Sequence, residues 1–387
     1  MRRPRSAQDR ETGGIGSMVA KLIGQLRLSW SEDPRTTMTV TWQSPEPLGE
    51  PVVQYGEGNQ LTHTVPAERI RYPQETGPVY TATLRGWTPG AWYSYRAGDA
   101  SKGWSAIHTF RTAPARRERF VFTAFADHGT GQMANLNVRR VLEGERPAFH
   151  LIPGDFGYAN GRQHIWDKWL EVLEPLASQV PVMVCPGNHE YEPRYGVSTY
   201  LARFVLPGKE RYYRFDYANT RVLMYDSVTY GDRERVRWLE SELRAARQDR
   251  HVHWLILRMH HPLFSSTIGR QGDGGRSRVL APLIDRYRPD LVLLGHNHNY
   301  ERTYPLRGRF PHVRYPHRVF QGQGVVHVTV GGGGYSLYPL TSQVPLFTAK
   351  REECYHYLRA TVSEESLKVE VFRTADNSLL DWFEILR

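Results

Sequence analysis

Apolar residues follow two different rhythms along the chain. Between Gln25 and about Pro114 they fall in short runs, LRLSW, TMTVTWQ, VVQYG, YTATLRGW, WYSYRAG and SAIHTFRT, in which apolar and polar positions alternate. Alternation with period two marks a strand with one buried face, and no helical period interrupts it. Asp33-Pro34, Pro45-Glu46-Pro47 and Pro89-Gly90 separate the runs as turn signals. Short strands at regular spacing over about 90 residues predict a β-sandwich.

Beyond Arg119 the rhythm changes. FVFTAFAD (120–127), AFHLIPGD (148–155), VPVMVCPGNHE (180–190), RVLMYDS (221–227), VHWLILRMHH (252–261) and DLVLLGHNH (290–298) are nearly continuous apolar runs, as expected of strands buried on both faces. Helical stretches Met133–Glu143, Ile165–Leu176, Arg233–Arg247 and Val279–Tyr287 lie between several of them. Strands alternating with helices predict an α/β fold with much parallel pairing. The later segments 325–334, 355–362 and 367–373 alternate and read as strands of a second sheet. The expected fold class is α/β: an N-terminal β-sandwich, then two packed mixed sheets flanked by helices. Residues 1–23 read as a disordered tail, 24–114 as the sandwich and 118–387 as the second domain with its C-terminal strands, joined through a linker at 113–117.

Composition narrows the class. Of the 387 residues 40% are hydrophobic and 12% aromatic, enough to bury a core. No apolar run approaches the roughly 18 residues needed to span a bilayer, so no membrane association is expected. Only two cysteines, Cys185 and Cys354, are present, which excludes a disulfide scaffold and leaves their pairing open. Lys and Arg total 50 against 40 Asp and Glu, a net charge of +10. The arginines are spread along the chain, so nothing indicates nucleic acid, and the excess favours approach of a small anionic substrate. The Arg-rich start, MRRPRSAQDRETGGIGSM, lacks the apolar run of about 7–15 residues that follows it in a secretory signal. By sequence alone the expected location is therefore cytoplasmic, with Met18 an alternative start.

Five apolar runs end in polar clusters: Asp127-His128-Gly129, Gly154-Asp155-Phe156-Gly157-Tyr158, Gly187-Asn188-His189-Glu190, His260-His261 and Gly295-His296-Asn297-His298. Ligand sites in α/β sheets gather at the carboxyl ends of strands, so a sheet would carry these residues to one rim. Carboxylates, a phenol, an amide and imidazoles together suit first-row transition metals rather than Ca²⁺. Glycine before Asp155, Asn188 and His296 is expected to let the chain turn with φ > 0. Two imidazoles in Gly-His-x-His, on extended backbone, would fall on one side, each able to serve one of two neighbouring ions. Such a pair of ions, about 3.5–4 Å apart, clamps an in-line displacement at phosphorus.

The ordered motifs D-x-G, G-D-x-x-Y, G-N-H-E, x-x-x-H and G-H-x-H, present as ADHG, GDFGY, GNHE, LRMH and GHNH and followed by NYERTYP, resemble the metallophosphoesterase superfamily. Tyr158 narrows the resemblance to the purple acid phosphatases, in which a phenolate binds Fe(III) and gives the colour. WTPGAWYSYRAG is similar to the L-x-P-x-x-x-Y-x-Y signature of fibronectin type III domains, and such a sandwich matches the larger, plant-type members. The resemblance spans about residues 25–387. It implies that Asp127, Tyr158 and His298 hold Fe(III), and that Asn188, His260 and His296 hold a divalent Fe, Zn or Mn, with Asp155 bridging. His189 would contact phosphate and protonate the leaving oxygen while a metal-bound hydroxide attacks phosphorus in line. The activity implied is acid phosphatase action on a small phosphorylated substrate, and the family is mostly secreted.

Departures and alternatives accompany this. His128 adds an imidazole in the variable place of the first motif, either tuning substrate choice or pointing away. His261 follows the inferred ligand His260 and is a possible outer-shell residue. Gly331–Gly334 lacks the Lys-Ser/Thr of a P-loop and is expected to form a tight turn at the rim. A phosphodiesterase or nucleotide hydrolase of the same superfamily is the nearest alternative activity. A binding or adhesion protein with a degenerate metal site is the alternative of another class. Oligomeric state is left open.

Overall fold

The structure, a computed structural model, describes residues 22–387 except 59, 73, 74, 273, 315 and 316. Of the expected tail only Leu22 and Ile23 fall within the described residues, and Ile23 is buried in the core.

Among the described residues the sandwich has nine strands: six coincide with the alternating runs, and the short His63–Pro66, Glu68–Ile70 and Gly103–Trp104 lie outside them. One sheet orders Gly24–Ser29, Thr37–Gln43, Val79–Arg85 and Glu68–Ile70. The other orders His63–Pro66, Val52–Glu57, Trp92–Asp99 and Gly103–Trp104, with His108–Arg111 also paired to Trp92–Asp99. On Thr37–Gln43 the inward Met38, Val40 and Trp42 are fully buried, and the alternate Thr39 and Thr41 meet Thr83 and Thr81 across the strand pair.

The sandwich is welded to the rest of the chain. The Trp30 ring lies 5.6–6.0 Å from those of Phe149, Phe215 and Tyr217, within one hydrophobic cluster that runs through both parts. Polar groups at this seam are matched: Arg27 Nε donates to Arg203 O at 2.7 Å, Arg203 Nη1 to Asp167 Oδ1 at 2.8 Å, and Tyr95 Oη to Ser178 O at 2.7 Å.

Among the described residues two seven-stranded mixed sheets and a small antiparallel pair, Leu306–Arg307 with Phe310–Pro311, form the remainder. The first orders Val182–Val184, Phe149–Ile152, Phe120–Ala124, His356–Val362, Ser366–Arg373, Leu379–Leu386 and Arg318–Phe320. Its first three strands are parallel, and Phe120–Ala124 is antiparallel to His356–Val362. The second orders Tyr213–Tyr217, Thr220–Tyr225, Trp254–Met259, Leu291–Leu294, Val326–Val330, Tyr300–Thr303 and Thr348–Glu352, with four successive parallel strands from Thr220–Tyr225 to Val326–Val330. The late strands are therefore divided between the sheets, not gathered in one: 326–330 joins the second, while 356–362 and 366–373 extend the first. Alternation alone gives the faces of a strand but not its neighbour.

Continuity of the apolar runs has a direct cause. Val222, Met224, Ile256, Leu291 and Leu293 enter the main core, whereas Leu223, Leu255, Leu257, Val292 and Leu294 pack under helices Arg233–Gln248 and Gly274–Tyr287 through Leu239, Leu243, Leu280 and Ile284. Each such buried side chain contributes roughly 1.5–3 kcal/mol. Helices Gln132–Glu143 and Gln163–Ala177 accompany the first sheet. Cys185 and Cys354 are free thiols, and burial pushes the Cys185 thiol up to about 12, an unreactive core position. Among the described residues no helix is long and apolar enough to cross a membrane.

Candidate metal centre

The parallel strands of both sheets deliver their carboxyl ends to one rim. Asp127 follows Phe120–Ala124, Asp155 and Tyr158 follow Phe149–Ile152, Asn188 follows Val182–Val184, His260 follows Trp254–Met259, and His296 and His298 follow Leu291–Leu294. Their donor atoms form two adjoining groups.

In the first group Tyr158 Oη lies 3.0 Å from Asp127 Oδ1 and 2.8 Å from His298 Nε2, and His298 Nε2 is 3.3 Å from Asp127 Oδ1. His298 Nδ1 donates to Ser336 O at 2.5 Å, which leaves Nε2 as the inward lone pair. All three residues are buried. Burial, then Asp127 and Asp155, raises the Tyr158 phenol well above its ordinary range, so only a strong cation would draw off its proton.

In the second group Asn188 Oδ1 lies 3.2 Å from His260 Nε2 and 2.9 Å from His296 Nδ1, and His260 Nε2 is 3.2 Å from Asp155 Oδ2. His260 Nδ1 donates to Pro153 O at 2.6 Å, again directing Nε2 inward. Donor atoms of Asp127, Asp155 and His260 lie within 4.8 Å of one another, so the groups are contiguous through Asp155. Burial opposes charge on both Asp155 and His260, yet their mutual attraction prevails, lowering the carboxyl and raising the imidazole. Burial, with the neighbouring His260, holds His296 down to about 2.

The backbone here differs from the expected turns. Asp127, Asp155, Tyr158 and His296 themselves have φ of 55°, 53°, 56° and 67°. The left-handed region costs a non-glycine residue about 1 kcal/mol or more, and for a bulky tyrosine it is exceptional. Gly154 has the expected positive φ, but Gly187 and Gly295 do not; φ at Gly187 is −95°. Gly187 is required by close approach instead: a Cβ there would lie 2.2 Å from Asp155 Oδ1. Gly331 similarly abuts the rim, where a Cβ would lie 2.1 Å from Asn297 O and 3.0 Å from Asp127 Oδ2. The two imidazoles of Gly-His-Asn-His do serve different groups, but through a bend at His296 rather than along an extended strand.

The remaining candidates separate. His189 stands at the rim, half-buried; its N–H donates to Asp155 Oδ1 at 2.9 Å and its Nδ1 pairs with Asn160 Oδ1 at 2.7 Å. His128 points away from the donors: Trp169 Nε1 donates to its Nδ1 at 3.1 Å and its Nε2 donates to Ala134 O at 3.0 Å. Burial holds it down to about 3, a neutral structural imidazole. His261 is pinned to Ser227 Oγ at 2.9 Å, yet one donor atom each of His260, His261 and His296 lie within 4.8 Å of one another. Burial, with His260 and His296, holds it far below the ordinary imidazole range.

Several site residues were not anticipated. Glu190 accepts the N–H groups of Asp155, Phe156 and Gly187 at 2.8–2.9 Å, fixing the turns that carry Asp155 and Asn188 at once. Burial and the nearby Asp155 push its carboxyl up, against the opposing pull of those three N–H bonds. Its place in Gly-Asn-His-Glu was the available signal. Asn160, Arg270, Tyr335 and Tyr338 come from loops without a motif; Tyr335 stacks on Tyr158 at 3.7 Å and Tyr338 on His298 at 3.8 Å.

Fold and donor set together define a metallophosphoesterase. Residues 23–112 match the family described as "Purple acid Phosphatase, N-terminal domain", 120–300 "Calcineurin-like phosphoesterase" and 324–382 "Iron/zinc purple acid phosphatase-like protein C". The chain belongs to the purple acid phosphatase family. Acid phosphatase type 7 of Mus musculus is 30% identical, over 87% of this chain and 84% of its own. An uncharacterized protein of Mycobacterium tuberculosis is 30% identical, over 83% and 71%. Probable inactive purple acid phosphatase 27 of Arabidopsis thaliana is 27% identical, over 90% and 67%. The solved purple acid phosphatase from yellow lupin seeds shares the fold, with a TM-score of 0.86 at 23% identity over 94% of this chain and 74% of that one.

Proposed function

We propose that the chain hydrolyses phosphate monoesters of small molecules with a pair of cations, one ferric and one divalent Fe, Zn or Mn. The observation that carries this is Tyr158 Oη, set 2.8 Å from His298 Nε2 and 3.0 Å from Asp127 Oδ1 beside a second donor group. A phenol, two carboxylates, an amide and three imidazoles, two of the imidazoles steered inward by backbone carbonyls, fit a hard trivalent and a borderline divalent ion. Asp127, Tyr158 and His298 would hold the ferric ion; Asn188, His260 and His296 would hold the divalent one; Asp155 would touch both.

The cations would supply a water acidic enough to act as nucleophile near neutral pH and offset charge on the phosphoryl oxygens. The protein's own groups do the rest. Tyr158 would yield its phenol proton on loading, offsetting one ferric charge. Asp155 is held by the His189 N–H and by Glu190 through its own N–H, so its oxygens stay aimed between the groups. His189, oriented by Asn160, reaches the open rim where a leaving oxygen would emerge and donates its proton there.

Some relatives carry names that mark them inactive. Here all seven donor residues are present and converge, which favours an enzyme over a binding protein with a degenerate site. The test is Asp155→Asn, measured for metal content and for aryl phosphate hydrolysis. Loss of both is expected; full metal content with full turnover would overturn the assignment.

A further inference from the structure

We propose that Arg270 is a substrate-binding residue whose guanidinium grips the phosphoryl oxygens from the His296 side of the rim. The inference rests on the phosphoester-hydrolase reading above and adds to it a residue outside every motif.

Arg270 is exposed, on the loop after His260-His261. Its Nη1 lies 2.8 Å from His296 Nε2, its Nη2 is 3.4 Å from Tyr338 Oη, and its guanidinium sits 4.6 Å over the Tyr338 ring. The loop beneath is fixed. Asn297 Nδ2 donates to Ser265 Oγ at 2.6 Å and to Arg270 O at 3.2 Å, Ser266 N–H donates to Glu301 Oε2 at 2.7 Å, and Ile268 N–H to Pro339 O at 3.0 Å. The middle residue of Gly-His-Asn-His thus holds the carbonyl of the arginine itself.

A chain of contacts links Arg270 through His296, Asn188 and His260 to Asp155 and His189, with successive polar atoms 2.8–3.9 Å apart. Arg270 thus stands at the edge of the donor groups, against His296. Among the described residues no carboxylate pairs with Arg270. A planar fork of N–H donors, steadied on an aromatic face, matches two oxygens of a phosphoryl group. His296 is a poor competitor for those donors. Its Nε2 accepts only while the ring hydrogen is on Nδ1, the atom that faces Asn188. With an ion held at Nδ1 the ring hydrogen would sit on Nε2, which would then offer Arg270 no acceptor and leave its donors for an anion.

The experiment compares metal-replete wild type with Arg270→Met and Arg270→Lys. It reads metal content, binding of inorganic phosphate by calorimetry, and the KM and kcat for an aryl phosphate. A contact made equally in ground and transition states raises KM and leaves kcat. Arg270→Met is expected to weaken phosphate binding and raise KM by about 10–100-fold, the size of a charge-assisted bidentate contact. In that variant kcat stays within about threefold and metal content is unchanged. Arg270→Lys falls between, since it keeps charge and loses the fork. Unchanged phosphate binding in Arg270→Met would overturn the proposal while leaving the phosphatase reading intact. Loss of metal with a fall in kcat would also overturn it, since Arg270 would then be a brace for His296. Wild type that neither binds phosphate nor cleaves any phosphoester would end both.

Discussion

Glu190 and Asp155 are two buried carboxylates joined through the backbone: Glu190 Oε2 accepts the Asp155 N–H at 2.8 Å. The same oxygen accepts Gly187 N–H at 2.8 Å, and Oε1 accepts Phe156 N–H at 2.9 Å. One side chain thereby fixes the turn that carries Asp155 relative to the turn that carries Asn188. It needs acceptors on both oxygens. Glu190→Gln places an amide NH₂ against a backbone N–H, so stability should fall by about 2–4 kcal/mol and bound metal should drop with it. Urea denaturation with metal analysis checks this; unchanged values in both would remove Glu190 from the support of the site.

Trp30 makes the sandwich and the mixed sheets one cooperative unit. It is fully buried against Phe149, Phe215 and Tyr217, which lie in the mixed-sheet part. Trp30→Ala should cost about 3–5 kcal/mol. Calorimetry of wild type should show a single transition, and the variant a lower one. Two separated transitions in wild type would show that the parts unfold independently.

Buried neutral histidines set an acid limit to stability. Burial holds His327 down to about 3 and His356 down to about 4. In the unfolded chain an imidazole titrates near 6.5, so between about 6.5 and 4 the unfolded state takes up protons that the folded state refuses. Stability is full above about pH 6.5 and is lost as pH falls, by roughly 1.4 kcal/mol per pH unit for each group. His327→Leu should make the decline between pH 6 and pH 4 shallower by about that amount. Urea midpoints across that range decide it; identical slopes for variant and wild type would contradict the burial argument.

Much of this was legible in the sequence because strand ends carry chemistry. Six of the seven expected donors sit within a few residues of a continuous apolar run, and Tyr158 follows in the same turn, so period and punctuation alone brought them to a rim. Family resemblance then assigned them to two ions. Three things were not legible. The partner of strand 356–362 is Phe120–Ala124, more than two hundred residues away, and 366–373 enters that sheet only through its pairing with 356–362, which alternation does not encode. The need for Gly187 came from crowding against Asp155, not from its own φ. Arg270, Tyr335 and Tyr338 lie on loops whose shape follows from bonds to Asn297 and His298 O, invisible in one dimension. The ambiguity over His128 was resolved by Trp169 and Ala134, both outside its motif.

The most direct test is the visible spectrum of metal-replete protein beside that of Tyr158→Phe, with iron and divalent metal counted in both. A phenolate on a ferric ion gives wild type a charge-transfer band and colour, and Tyr158→Phe should lose the band while keeping the divalent ion. Fully metallated wild type without colour, or a band that survives in Tyr158→Phe, would contradict the account.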